Sequence, residues 1–172
     1  MSTASDLFAK ARAALLVSAP FWGVLSLRLA PVEDSSIPTM KTDGVSIHYN
    51  PEFVAGLSRS VLRTCIAHVT MHNATLHHTR RAGRDLRRWN IACDYAINPL
   101  LAQADFELPD GALLDPAYAG LSAEDIYARY LAIDRSISLA THYRAGNAEA
   151  VEITDPNADD LIPVRWANRQ RR

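Results

Sequence analysis

SRSVLRTCIAHVTMHNATLHH, residues 58–78, is the stretch from which the fold is read. Ser58 suits a helix N-cap, and Val61, Leu62, Cys65, Ile66, Val69 and Leu76 recur at helical spacing behind it. A helix is therefore expected from Ser58 to about His78. His68 and His72 stand four residues apart, so a helix projects both imidazoles from one face, where they can grip one metal ion. On a continuous helix His77, nine residues past His68, faces the opposite side. His78 has the long spacing of a third metzincin histidine, but that geometry needs a chain break, usually at glycine, and Thr75 stands there.

The better third ligand lies on the next helix, expected over about Asp85–Ala104 with a bend at Asn98-Pro99. Asn90, Asp94 and Asn98 recur every four residues, a polar stripe among Ile91, Ala92, Cys93, Tyr95, Ala96 and Ile97. A carboxylate on so apolar a helix is costly to bury unless it is paired or bound to metal. Metal held by His68, His72 and Asp94 between two packed helices is the functional reading, and a salt bridge from Asp94 to a nearby arginine is the alternative. Val69, Asn90, Tyr95 and Asn98 then stand behind the ligands or face a substrate. Cys65, three residues before His68, reads as a small buried apolar residue.

Working outward, Asp6–Val17 reads as an amphipathic helix stopped by Pro20, and Val24–Leu29 as a strand. Asp43-Gly44 signals a hairpin turn between Ile37–Thr42 and Val45–Tyr49, and Asn50-Pro51 opens a short helix. Ser122 caps a last helix to Ile133, with Leu121 and Ile126 placed for a hydrophobic staple. Residues 13–27 follow Lys10 and Arg12 much as a signal peptide would, but Pro20 and Gly23 interrupt the run and no small-residue cleavage site precedes Arg28. The run is also too short to span a membrane.

Composition adds bounds. The 172 residues are 48% hydrophobic and 22% charged with a net charge of −1, which excludes a uniformly basic or acidic protein. Two cysteines are too few for a disulfide framework and suit a reducing cytosol, so a cytoplasmic location is expected. Charge is nonetheless segregated: seven arginines and one acid lie between Arg59 and Arg88, and thirteen acids with three arginines between Asp94 and Asp160. Either these regions face each other or they coat a solvated surface. Arg80, Arg81, Arg84, Arg87 and Arg88 form a candidate contact to phosphates or to a partner, although Trp89 alone is interleaved for base stacking.

The chain resembles a metallopeptidase-domain family of bacterial and phage proteins. The resemblance is carried by Phe21-Trp22-Gly23, Thr42-Asp43-Gly44, Tyr49-Asn50-Pro51-Glu52-Phe53, the histidines from His68 to His78, Trp89-Asn90-Ile91-Ala92-Cys93-Asp94-Tyr95-Ala96-Ile97-Asn98, and Leu114-Asp115-Pro116 with Tyr118 to Tyr127. It runs over residues 5 to 130. It implies an α+β, zincin-like fold, mainly helical, with a small sheet packed on the metal-binding helix. It also implies zinc as the cofactor, a C-terminal von Willebrand A-like domain in many members, and association with MoxR-type AAA ATPases. Residues 1–135 are expected to form the metallopeptidase-like domain and 136–172 a loop-rich or partly disordered extension.

One departure bears on mechanism. The family carries HExxH, and this chain has Val69 in place of the glutamate. Peptide hydrolysis needs a base to take the proton of the attacking water and return it to the departing amine, and valine does neither. The expectation is a metal-binding, catalytically impaired pseudopeptidase that binds a peptide or protein partner, with the Val45–Tyr49 strand as a pairing edge. The alternatives are an active zinc peptidase with a substituted base and an arginine-rich nucleic-acid-binding module.

Overall fold

Thr3 opens the first helix, α1 (Ala4–Ser18), through a reciprocal capping box with Asp6. The structure, a computed structural model, describes residues 2–130 and the short strand Ile162–Pro163. Helix α1 buries Phe8, Ala11 and Leu15, the spacing of one amphipathic face.

Pro20 ends α1 and at once begins α2 (Pro20–Ser26), where a first-turn proline loses no helical hydrogen bond. The strand expected over Val24–Leu29 is thus replaced by the end of α2 and a turn, and β1 (Ala30–Glu33) follows instead. The apparent alternation does not define a face: Leu27 is exposed whereas Leu29 is buried. Close packing of α2 on α1 decides the matter. A Cβ at Gly23 would lie 2.5 Å from Leu16 Cα and 2.7 Å from Leu16 N.

The expected hairpin is present as β2 (Met40–Thr42) and β3 (Ser46–Tyr49), antiparallel with Thr42 opposite Ile47 and Met40 opposite Tyr49. Asp43 organises the turn, its carboxylate accepting from the amides of Val45 and Ser46. Strand β1 joins β3 in parallel, and β4 (Ile162–Pro163) joins β2, giving the order β1-β3-β2-β4. The Val45–Tyr49 segment is therefore flanked on both sides and cannot serve as a pairing edge. Met40, Thr42, Ile47 and Tyr49 turn inward, and Tyr49 stacks on Phe8 with ring centroids 4.6 Å apart.

Asn50 caps α3 (Pro51–Ala55), and Ser58 caps α4 (Arg59–Ala74), as the sequence indicates. Helix α4 is the central element, packed on α1, α2, β2 and α6 (Leu86–Gln103). Its Leu62, Cys65, Ile66, Ala67 and Val69 belong to one buried cluster with Phe8, Leu15, Met40 and Ile47. The architecture is α+β and mainly helical, with the small sheet set against α4.

Helix α4 does not continue to His78. Thr75 hydrogen-bonds back to the Met71 carbonyl and Leu76 adopts a left-handed conformation (φ 56°). The short α5 (His77–Arg80) then starts in a new direction. Arg80 donates to the exposed Thr75 carbonyl, supplying a cation at the end of α4 where its dipole favours one. Asp85 caps α6, and after the 3₁₀ turn Pro116–Tyr118, Ser122 caps α7 over 123–130. Leu121 and Ile126 share a small apolar cluster with Ala92 and Tyr118, as a staple requires. The expected continuation to Ile133 and the extension over 136–172 lie outside the described residues, Ile162–Pro163 apart. No helix among the described residues is long and apolar enough to cross a membrane.

The α1–α2 contact makes one prediction. Gly23→Ala pushes a methyl into the Leu16 backbone, which cannot yield as a flexible side chain would, so the loss in a urea unfolding curve should be roughly 1–3 kcal/mol.

Candidate metal centre

Helices α4 and α6 pack with their polar stripes facing each other, and the two histidines and the carboxylate singled out in the sequence meet there. His68 Nε2 lies 3.1 Å and His72 Nε2 3.2 Å from Asp94 Oδ1, and the two Nε2 atoms are 2.9 Å apart. His68 and Asp94 are 1% exposed and His72 is fully buried. The alternative for Asp94, a salt bridge to an arginine, is not what the structure holds; its partners are the two imidazoles.

The hydrogen bonds around this triangle fix one tautomer. Asn98 Nδ2 donates to the Leu113 carbonyl, which turns its Oδ1 toward His68 Nδ1 at 2.9 Å. His68 Nδ1 must then be the N–H donor, which leaves Nε2 as the nitrogen that turns to the triangle and can serve as a ligand. Three acceptor-bearing atoms this close need something shared between them, either the hydrogen of His72 Nε2–H or a metal ion. Tetrahedral zinc with ligands at about 2.0–2.1 Å sets neighbouring ligand atoms roughly 3.3 Å apart, a few tenths of an ångström wider than found here. Among the described residues, Asp94 Oδ2 and Asn90 Oδ1 on the same stripe are buried with no hydrogen-bond partner. Such buried acceptors are rare, and their presence beside two imidazoles fits a site built for a cation.

Electrostatics favour the ligand forms. Burial, reinforced by the neighbouring His68, pushes His72 below its ordinary value, so it is neutral. Burial opposes the charge on Asp94, yet the imidazoles of His68 and His72 against its Oδ1 outweigh it and hold its carboxyl below the usual value. Burial also pushes the Cys65 thiol up to about 12, in keeping with an inert core residue.

The break after α4 adds a residue that helical periodicity places on the far side. His77 swings back so that its Nδ1 is 3.3 Å from His72 Nδ1, and it is buried. Its carbonyl accepts from Trp89 Nε1 at 2.8 Å, which ties α5 to α6. Cys93 lies on the same side, so His72, His77 and Cys93 form a second group with ligand atoms within 4.8 Å. The nearest signal in the sequence was Thr75, whose hydroxyl competes for a helix carbonyl.

Other candidates are placed differently. Tyr95 packs on Tyr118, ring centroids 4.8 Å apart, beside the small apolar cluster of Ala92 and Ile126. Val69 is fully buried among the apolar side chains of the main core. In the basic cluster, Arg80 makes a two-pronged pair with Glu124, so the basic and acidic regions do face each other there. Arg84 donates to the Arg80 and Arg81 carbonyls and lies over the rings of Trp89 and Tyr127. Two of the five arginines are thus committed to holding the fold, which weakens a phosphate-binding reading. Arg87 and Arg88 line a shallow polar recess with Asp85, Ile91 and Tyr130.

Compared with known families, residues 3–161 match the model of the family described as "Putative metallopeptidase domain". No curated protein and no solved structure matched the chain.

The buried neutral histidines make stability depend on pH. His77 is pushed down to about 2 by burial and the adjacent His72, and His72 is also lowered from 6.5. The unfolded chain then binds more protons than the native one below about pH 6.5, so stability falls with acidification. Asp94 acts in the same direction lower down, its contribution being lost as pH drops through its depressed value. Thermal unfolding of metal-free protein should show a midpoint insensitive to these groups above about pH 7 and declining steadily toward about pH 4; a level profile would count against neutral buried imidazoles.

Proposed function

Because the chain belongs to this metallopeptidase-domain family, we propose that it keeps the family's metal and has lost the family's chemistry. His68, His72 and Asp94 are the metal ligands, and zinc is the metal their two imidazoles and one carboxylate suit best. Asn98 holds His68 in the ligand tautomer, and Asn90 and Asp94 Oδ2 offer buried acceptors beside it.

The observation that carries this reading is the coincidence of a converged ligand triangle with Val69 at the motif position of the base. Bound zinc would supply Lewis acidity and lower the pKa of its water. Among the described residues, the only carboxylate grouped with the two imidazoles is Asp94, itself a ligand, and Val69 lies in the apolar core. The ligands are also closed off from solvent, whereas catalytic zinc sites keep an open position. The domain is a pseudopeptidase of zincin-like descent whose metal pins α4 to α6 and whose surface binds a peptide or protein partner in the cytoplasm. A MoxR-type ATPase is the partner that the resemblance implies. An extended partner segment would add at the outer edge of β1, since β3 is flanked on both sides.

Two measurements test this together. Metal analysis of the purified chain should find about one zinc per chain, lost in His68→Ala, His72→Ala and Asp94→Ala, with chelation lowering the unfolding temperature. The zinc-loaded wild type should cleave unfolded protein substrates no faster than buffer does. Cleavage that disappears with chelator and in His72→Ala would instead establish a working peptidase with a substituted base.

A further inference from the structure

We infer that His77 is a positioning residue for the metal centre, serving as the proton partner of His72 Nδ1. The inference rests on the metal reading above and deepens it. In a metal-free centre His72 needs its proton on Nε2, where it can bridge His68 Nε2 and Asp94 Oδ1 at 2.9 and 3.2 Å. His72 Nδ1 is then an acceptor. When His72 binds metal through Nε2, its proton must sit on Nδ1, which becomes a donor. The group 3.3 Å from Nδ1 therefore has to accept in one state and donate in the other. Neutral imidazole does both by exchanging tautomers, which a carbonyl or a carboxylate cannot.

The local fold is arranged to keep His77 at that distance. Thr75 closes α4, Leu76 takes a left-handed conformation that is uncommon for a bulky residue, and the chain reverses so that His77 returns to the His72 ring. Trp89 Nε1 then fixes the His77 backbone, and Arg84 covers the Trp89 ring. The His72 and His77 rings meet edge to face, centroids 5.3 Å apart. Cys93 lies close enough to His72 and His77 for a rival arrangement in which these three hold the metal themselves. The two arrangements differ in which His72 nitrogen faces the ion.

The test uses the full chain loaded with zinc or cobalt(II). His77→Asn places an amide near the Nδ1 position that can either donate or accept, whereas His77→Leu fills similar space with neither function. His77→Leu should weaken zinc binding about 10- to 100-fold while His77→Asn stays close to wild type. Nitrogen-15 NMR of the zinc-loaded wild type should show His72 protonated at Nδ1 and metal-bound at Nε2. Trp89→Phe, which keeps the ring and removes the N–H, should shift zinc affinity in the same direction as His77→Leu. Equal affinity in His77→Leu and wild type would overturn the inference while leaving the metal site standing. A thiolate-to-cobalt charge-transfer band abolished by Cys93→Ser would overturn it in favour of the rival ligand set. Absence of zinc from the wild type would defeat the metal reading itself.

Discussion

Two imidazoles and a carboxylate share one water-excluded point between α4 and α6, and the rest of the molecule is arranged to make that tolerable. Each of these groups loses its hydration when the helices close, and the loss is recovered only if the polar atoms find one another or a cation. Connections made elsewhere hold the helices at the necessary distance. Thr64 on α4 donates to the Glu107 carbonyl beyond the end of α6, and Asn98 on α6 donates to the Leu113 carbonyl in the following loop. Trp89 joins α6 to α5, and Arg80 joins the end of α4 to Glu124 on α7. A cation bound at the centre would act together with these ties, because it would also demand that both helices stay in register.

The two faces of α4 keep the candidate metal ligands apart from the main core. Neighbouring residues on a helix are about 100° apart, so the residue after His68 points well away from the His68–His72 face. In this chain that direction is occupied by the main core, the buried cluster that Val69 shares with Phe8, Leu15 and Ile47. A valine there adds to core packing and leaves His68, His72 and Asp94 undisturbed. The polar face with His68 and His72 and the apolar face with Val69 are independent consequences of one helix.

Much of this was legible along the chain. Capping residues announced the starts of α3, α4 and α7, and Asp43-Gly44 announced the hairpin, because these signals act over three or four residues. The Asn90, Asp94, Asn98 stripe was readable because polar residues recurring on one face of an apolar helix need a buried partner. Val24–Leu29 misled because a period of two over six residues does not exclude a helical turn followed by a bend. The glycine that settles it acts through contact with Leu16, a neighbour on another helix. For the arginine cluster the sequence left two readings open, a solvated surface or a face against the acidic region, and Glu124, more than forty residues later, decides for the second at Arg80.

By itself the sequence determined which residues share a helix face, since a 3.6-residue period is a property of the backbone, and hence that His68, His72 and Asp94 were the ligand candidates. It also placed Val69 directly after His68, where an H-E-x-x-H helix carries glutamate. Tertiary structure alone decided where α4 stops and what comes back to meet it. Thr75 and Leu76 carry no strong break signal, and the new direction is held by Arg80 on the Thr75 carbonyl and Trp89 on the His77 carbonyl. Periodicity along one helix cannot anticipate His77 because its position depends on contacts from α6, which exist only once the two helices have packed.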